Sequence, residues 1–183
     1  ISTLTLDKIN FSKFVFCNIN FIFLIVYYAF IIMFFIGMVQ KKYAFMPFLI
    51  VLVIFHYFYP IASNKNYFVM LDVGQGDSIL LHSKGKTVLI DTGGIMSYDN
   101  RKWSKQKNKY RIVDSVAIPY LKKLGIGRID YLILTHGDFD HMGEAINLVN
   151  NFKIKKVIFN CGRYNYLEKQ LIDVLERKKI DYY

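Results

Sequence analysis

Cysteine is scarce in this sequence. The 183 residues include two, Cys17 and Cys161, which lie far apart along the chain. Two isolated thiols supply neither the disulfide framework of a small secreted domain nor the paired spacing of a zinc finger, so they leave the redox compartment open. Internal repeats and low-complexity segments are also missing, which argues against a solenoid and against a compositionally biased, unstructured chain.

Acidic residues are rare in the first third of the chain. Residues 1–63 contain four Lys or Arg and one acid, whereas residues 64–183 contain twenty basic and thirteen acidic residues. The basic surplus of the second part favours an anionic partner such as nucleic acid or a membrane surface. Lysine that serves only for solubility is the alternative.

Two long runs lack Asp, Glu, Lys and Arg. Residues 21–39 carry no charge, and residues 43–62 contain one histidine, His56, which we expect to be a packed or interfacial residue. Nineteen helical residues span about 28 Å, close to the thickness of a bilayer core. We therefore predict a transmembrane helical hairpin in a membrane region, 1–63, followed by a soluble domain, 64–183. A signal peptide and two buried helices of a soluble protein are the less favoured alternatives.

The link between the two runs is short and basic, Gln40-Lys41-Lys42. Short basic loops stay in the cytoplasm. We therefore predict a multi-pass protein of the cell membrane whose soluble domain lies on the outer face.

The second part of the chain alternates short apolar runs with turns rich in Gly and Asp, which is typical of a sheet. Strands come first as hairpins and then alternate with helices, which indicates a layered α/β domain. The predicted strands cover residues 67–72, 78–82, 86–91, 129–135 and 156–159, and the predicted helices cover residues 111–124, 143–149 and 164–179.

Four metal-binding side chains are concentrated in residues 136–141, HGDFDH. They follow an apolar strand, and ligand sites in open α/β sheets lie at the carboxyl ends of strands. Because residues two apart in an extended loop point the same way, His136 and Asp138 are predicted to hold one divalent ion. Asp140 and His141 then face a second ion. An acidic turn with incidental histidines is the alternative.

The pattern H-x-D-x-D-H resembles the metal motif of the metallo-β-lactamase superfamily, whose usual form is H-x-H-x-D-H. Asp138 stands in place of the second His. With LDVGQGDS at 71–78, LIDTGG at 89–94 and VAIPYLKKLGI at 116–126, this departure resembles the carboxyl-terminal domain of the ComEC family of competence DNA-uptake channels. A membrane region directly upstream also fits that family.

The resemblance implies a partial αββα sandwich, because the family domain is longer than this sequence. Ile1 in place of Met, and further ligands expected beyond Tyr183, indicate a fragment with an incomplete second metal site that is inactive alone. Two divalent ions are implied, with manganese preferred to zinc because Asp138 is a harder ligand than histidine. Asp140 is expected to orient the attacking water as the catalytic residue.

Three further aspartates are expected to support the metal loop without binding an ion: Asp72, Asp77 and Asp91. For Asp72 and Asp77, capping of a tight turn is the alternative.

A basic and aromatic loop, residues 95–110, suits a single DNA strand, because phosphates meet Lys or Arg and bases stack on rings. A solvated loop with a packed Trp is the alternative. The residues expected to contact DNA are Arg101, Lys102, Trp103, Lys105, Lys107 and Lys109.

The function implied is metal-dependent hydrolysis of DNA phosphodiesters during competence. The expected partners are single-stranded DNA, the membrane and other competence proteins, with no small-molecule cofactor. A DNA-binding or gating module without catalysis is one alternative. A general metallohydrolase on a small substrate is another, and the adjoining membrane spans argue against it.

Overall fold

The computed structural model describes residues 15–41, 46–62, 65–94 and 111–183. The chain divides into two compact units. The first is Ile1–Ser63 with Lys122–Ile126, and the second is Asn64–Leu121 with Gly127–Tyr183.

The first unit contains two apolar helices, α1 (Phe21–Val39) and α2 (Met46–Ala62). The side chain of Asn20 begins α1 by accepting a hydrogen bond from the Phe23 N–H at 2.9 Å, which satisfies a donor that a helix start leaves unpaired. In the described part of the chain, α1 with its 19 residues is the one helix long and apolar enough to cross a membrane. The second helix is equally free of charge but has 17 residues, with Pro60 in its last turn.

His56 is buried within this first unit, with 4% of its surface exposed. Its Nε2–H donates to the carbonyl of Cys17 at 3.2 Å, and its Nδ1 accepts from the Tyr27 hydroxyl at 3.0 Å. Both ring nitrogens of a neutral imidazole are therefore satisfied. The prediction that His56 is a packed residue agrees with this environment.

The second unit is built on one six-stranded sheet in the order β1 to β6. The first three strands pair antiparallel, and β3 to β6 run parallel, each parallel strand being reached through a helical connection. The strands are β1 Tyr67–Met70, β2 Ile79–Ser83, β3 Lys86–Ile90, β4 Ile129–Ile133, β5 Ile154–Ile158 and β6 Asp181–Tyr182. The α/β class predicted from the sequence is confirmed.

The helices of this unit are short except for the last. A π-helical turn, Val113–Ala117, leads directly into α3, and Pro119, which has no N–H to donate to the preceding turn, lies just after it. The helix predicted at 143–149 is present at Ala145–Asn151, and Gly143 and Glu144 separate it from a one-turn helix, Phe139–Met142, that was not predicted. The helices are α3 Ile118–Lys123, α4 Phe139–Met142, α5 Ala145–Asn151 and α6 Tyr166–Lys178.

The core lies on one face of the sheet. Leu80, Leu89, Leu132 and Val157 are paired across neighbouring strands and have no exposed surface. Burying such a side chain contributes about 1.5–3 kcal/mol. The helices add the fully buried leucines Leu121, Leu148, Leu171 and Leu175. This packing fixes β3 and β4 side by side, so that the segments leaving their carboxyl ends meet.

Candidate metal centre

The site begins where β3 and β4 end. Ile90 pairs with Ile133 in the parallel register, and the next residue, Asp91, donates its N–H to the Ile133 carbonyl at 2.9 Å. Asp91 has a φ of +56°, an uncommon conformation for a residue with a side chain. It is 2% exposed, so its carboxylate must be satisfied inside the protein.

Asp91 is satisfied by the metal loop. Its Oδ1 accepts from the Thr135 N–H at 2.9 Å, and its Oδ2 accepts from the Thr135 hydroxyl at 2.6 Å. The same Oδ2 lies 3.0 Å from Nδ1 of His141, which therefore carries the ring proton. This hydrogen bond fixes the orientation of the imidazole ring and leaves Nε2 as the nitrogen available to bind a metal ion.

The environment of His141 also sets its protonation. Partial burial lowers the pKa of the imidazole. The hydrogen bond and charge of Asp91, with the charges of Asp140 and Asp77, together outweigh burial, so the pKa is raised above its ordinary value. A cation binding at Nε2 competes with a proton, and its affinity is expected to weaken as the pH falls.

Backbone contacts hold the loop in position. The Thr92 N–H donates to the His141 carbonyl at 2.7 Å, and the Met142 N–H donates to the Asp138 carbonyl at 2.9 Å as α4 begins. Asp138 is the N-terminal cap residue of this single turn, and Asp140 and His141 lie inside it.

Three side chains converge on one point: His136, Asp140 and His141. Each offers a ligand atom, and these atoms lie within 4.8 Å of one another. The rings of His136 and His141 have their centroids 3.8 Å apart. Two imidazoles and a carboxylate are a common donor set for zinc and other divalent transition metals, so the residues fit such an ion.

Asp138 lies at the margin of this group. Its side chain is 72% exposed, and its Oδ2 is 3.5 Å from Nε2 of His136. The sequence paired His136 with Asp138, whereas the structure groups His136 with Asp140 and His141. The difference arises because the helical turn starts at Asp138 and carries the next two ligands back toward His136.

The remaining predicted residues are placed as follows. Asp72 Oδ1 accepts from the Gly74 N–H at 3.2 Å and so caps its own turn. Asp77 is exposed, and its charge acts on His141. The residues expected to contact DNA, 101–109, lie outside the described part of the chain.

Asn165 was not predicted to belong to the site. Its side-chain amide donates to the Gly137 carbonyl at 2.5 Å, within the metal loop. Its Oδ1 accepts from the Glu168 N–H at 3.1 Å, and its own N–H donates to Glu168 Oε2 at 2.7 Å, forming a capping box at the start of α6. The spacing N-x-x-E indicates such a box in the sequence. The hydrogen bond to Gly137 depends on the tertiary fold, and no pattern in the neighbouring sequence predicts it.

The turn between β1 and β2 makes a close backbone contact with Asp140, one of the three converging residues. Gly76 has a φ of +82°, and a Cβ there would overlap the carbonyl of Asp140. Gly74 in the same turn has a φ of +72° with no atom within 4 Å of a Cβ position. We expect alanine at either position to lower the free energy of unfolding by about 1 kcal/mol, because the backbone there is left-handed. Gly76→Ala should lower it by about 1–2 kcal/mol more and should bind metal more weakly, because its Cβ displaces Asp140.

Limited proteolysis and calorimetric zinc titration of the two variants would measure these effects. Equal losses for Gly74→Ala and Gly76→Ala in both measurements would show that the contact with Asp140 is unimportant.

Residues 71–181 match the metallo-beta-lactamase superfamily, and the chain belongs to that family. It is also similar to ComE operon protein 3 of Bacillus subtilis (strain 168), with 40% identity over 109 residues, which are 58% of this chain and 14% of that protein. Recombination protein 2 of Haemophilus influenzae (strain ATCC 51907 / DSM 11121 / KW20 / Rd) is 34% identical over 98 residues, 54% of this chain and 11% of that protein. The matches thus span a small part of these curated relatives.

The resemblance to the ComEC family predicted from the sequence is confirmed by these similarities. Membership of the superfamily implies metal binding, and the group of His136, Asp140 and His141 fits it.

Proposed function

We propose that the chain contributes the metal-binding loop of a ComEC-type domain that hydrolyses phosphodiester bonds of DNA during competence. The observation that carries the proposal is the convergence of His136, Asp140 and His141 at the carboxyl end of β4. The similarity to ComE operon protein 3 and Recombination protein 2 supports a role in DNA uptake.

Divalent ions held there would supply Lewis-acid polarisation of a phosphoryl oxygen and would make a nearby water a stronger nucleophile. The chain's own residues prepare the place for this chemistry. His141 offers Nε2 because Asp91 holds its Nδ1 proton, and Asp140 offers an anionic oxygen that also suits the orientation of water.

We further propose two ions, with manganese preferred to zinc. Asp138 is exposed beside His136, within reach of a second cation. A carboxylate at this position favours the harder ion. The basic and aromatic segment 95–110 is the proposed contact for a single DNA strand.

Membrane anchoring belongs to the same proposal. The length and composition of α1, with the apolar α2 after it, support a multi-pass protein of the cell membrane. The basic residues Lys41 and Lys42 between the helices favour a cytoplasmic link, which puts the metal loop on the outer face. Other competence proteins are the proposed partners there.

The native, full-length protein with Mn²⁺ is expected to cleave labelled single-stranded DNA, and Asp140→Asn is expected to reduce the rate by about 100-fold or more, because the variant loses an anionic ligand. Asp72→Asn is the matched control, since this aspartate only caps a turn, and its rate should equal that of the parent. Cleavage products separated by electrophoresis give the rates.

DNA that is bound but left intact with either Mn²⁺ or Zn²⁺ would contradict hydrolysis. It would favour a DNA-binding or gating module instead.

A further inference from the structure

The edge of the sheet opposite the metal centre is strongly basic. Strands β3 to β6 are parallel, so their amino ends share one edge, and the end of α6 returns the chain to the same edge before β6. The side chains there are exposed, and we name them the basic rim. The basic rim consists of Lys84, Lys86, Arg128, Lys153, Lys178 and Lys179.

Two carboxylates lie at this edge, Asp181 at the start of β6, which is exposed, and Asp130 in β4. Against the six basic side chains they leave the edge positively charged. The side chain of Asp130 is 3% exposed, and it accepts from the Thr87 N–H at 3.0 Å and from Arg128 at 2.9 Å. Lys86 lies 3.9 Å from it and keeps 63% of its side chain exposed. Asp130 therefore holds Arg128 in place from below, and the charged groups of the rim remain exposed to solvent.

In the described part of the chain, acidic side chains predominate at the carboxyl edge. The carboxyl edge holds the exposed or half-exposed carboxylates of Asp77, Asp138 and Asp140. A five-residue strand separates the edges by roughly 16 Å. A phosphodiester held at the metal centre is therefore too far away for the basic rim to bind it.

Chain connectivity indicates which partner. β1 begins at Tyr67, and its register with His82 puts that residue at the rim edge, beside the Lys84 turn. Four residues, 63–66, join the end of α2 to β1, and one of them is Lys65, which is exposed. Such a link reaches at most about 14 Å. The headgroup layer on each side of a bilayer is about 5–7 Å thick.

We propose that the basic rim binds the phosphate groups of anionic phospholipids in the membrane that the apolar helices cross. The inference rests on the membrane anchoring in the proposed function. Exposed Lys and Arg near a charged bilayer are attracted within roughly a Debye length, about 8 Å at physiological salt.

Lysine acetylation footprinting of the full chain tests this directly. The chain is reconstituted in nanodiscs of phosphatidylcholine alone or mixed with phosphatidylglycerol, and mass spectrometry reads the rate at each lysine. We expect Lys84, Lys153 and Lys178 to react several-fold more slowly in the anionic discs, with the protection lost at high salt. Exposed Lys169, outside the rim, should react equally in both.

Two charge-reversal pairs sharpen the test. Lys84→Glu with Lys153→Glu should abolish the protection of Lys178, whereas Arg163→Glu with Lys169→Glu makes the same change in net charge outside the rim and should preserve it. Equal rates in the two kinds of disc would overturn the inference. So would protection by short single-stranded DNA in neutral discs without an effect of phosphatidylglycerol, since the rim would then be a nucleic-acid surface.

The experiments distinguish an error in the lipid-binding proposal from an error in the proposed function. A chain that does not enter nanodiscs overturns the anchoring and the rim together. A chain that enters them without lipid-dependent protection overturns the rim alone, and DNA hydrolysis is measured separately.

Discussion

Replacing Asp140 by asparagine is expected to lower the affinity of the chain for Zn²⁺ or Mn²⁺ by about 100-fold or more. The change removes the one anionic ligand of the group formed with His136 and His141, and a neutral amide oxygen is a poorer donor for a divalent cation. The side chain of Asp140 is 48% exposed, so the fold should lose less than about 1 kcal/mol. Competition with a chromophoric chelator measures the affinity.

Asp138→Asn is the informative comparison. If the structural grouping is correct, this variant binds the first ion with nearly the parent affinity, because Asp138 lies outside the converging group. A larger loss for Asp138→Asn than for Asp140→Asn would restore the pairing of His136 with Asp138 that the sequence favoured. Asp72→Asn controls for the loss of one negative charge.

Replacing Asp91 by alanine is expected to destabilise the second unit by about 3 kcal/mol and to weaken metal binding by at least about 10-fold. The variant leaves the Thr135 N–H without its acceptor and releases Nδ1 of His141. Buried donors without partners cost about 1–3 kcal/mol each, and breaking a buried charged network costs more. Native-state hydrogen exchange of the β4 amides measures the loss of stability.

Asparagine at position 91 separates the two roles of Asp91. Asp91→Asn keeps an acceptor for Thr135 and should recover much of the stability. Its NH2 group, if it takes the place of Oδ2, donates to Nδ1 of His141 and moves the ring proton to Nε2. Metal affinity should therefore stay low, and recovery of both properties would show that the tautomer of His141 is unimportant.

Sequence patterns predicted the elements whose signals are local. The strand at Ile129–Ile133 is apolar apart from Asp130, and the metal-binding residues follow soon after it, so that strand, loop and ligand types were all predictable. The motif also contains every member of the converging group. Their mutual arrangement was not predictable, because it depends on the residue at which α4 begins.

The elements that escaped prediction are held by long-range contacts. β6 has two residues, and its pairing relies on the Tyr183 N–H bonding the Val157 carbonyl at 3.0 Å. No periodicity exists in so short a strand. The bond from Asn165 to Gly137 joins residues 28 positions apart, and a single sequence gives no sign of it.

The metal loop is braced by hydrogen bonds that the protein makes by itself. Asp91 and Thr92 bind it from β3, and Asn165 binds it from α6. In zinc fingers the ion drives folding, and its removal unfolds the chain. Here the hydrogen bonds reach the loop from outside it, so we expect removal of a bound ion by a chelator to leave the second unit folded.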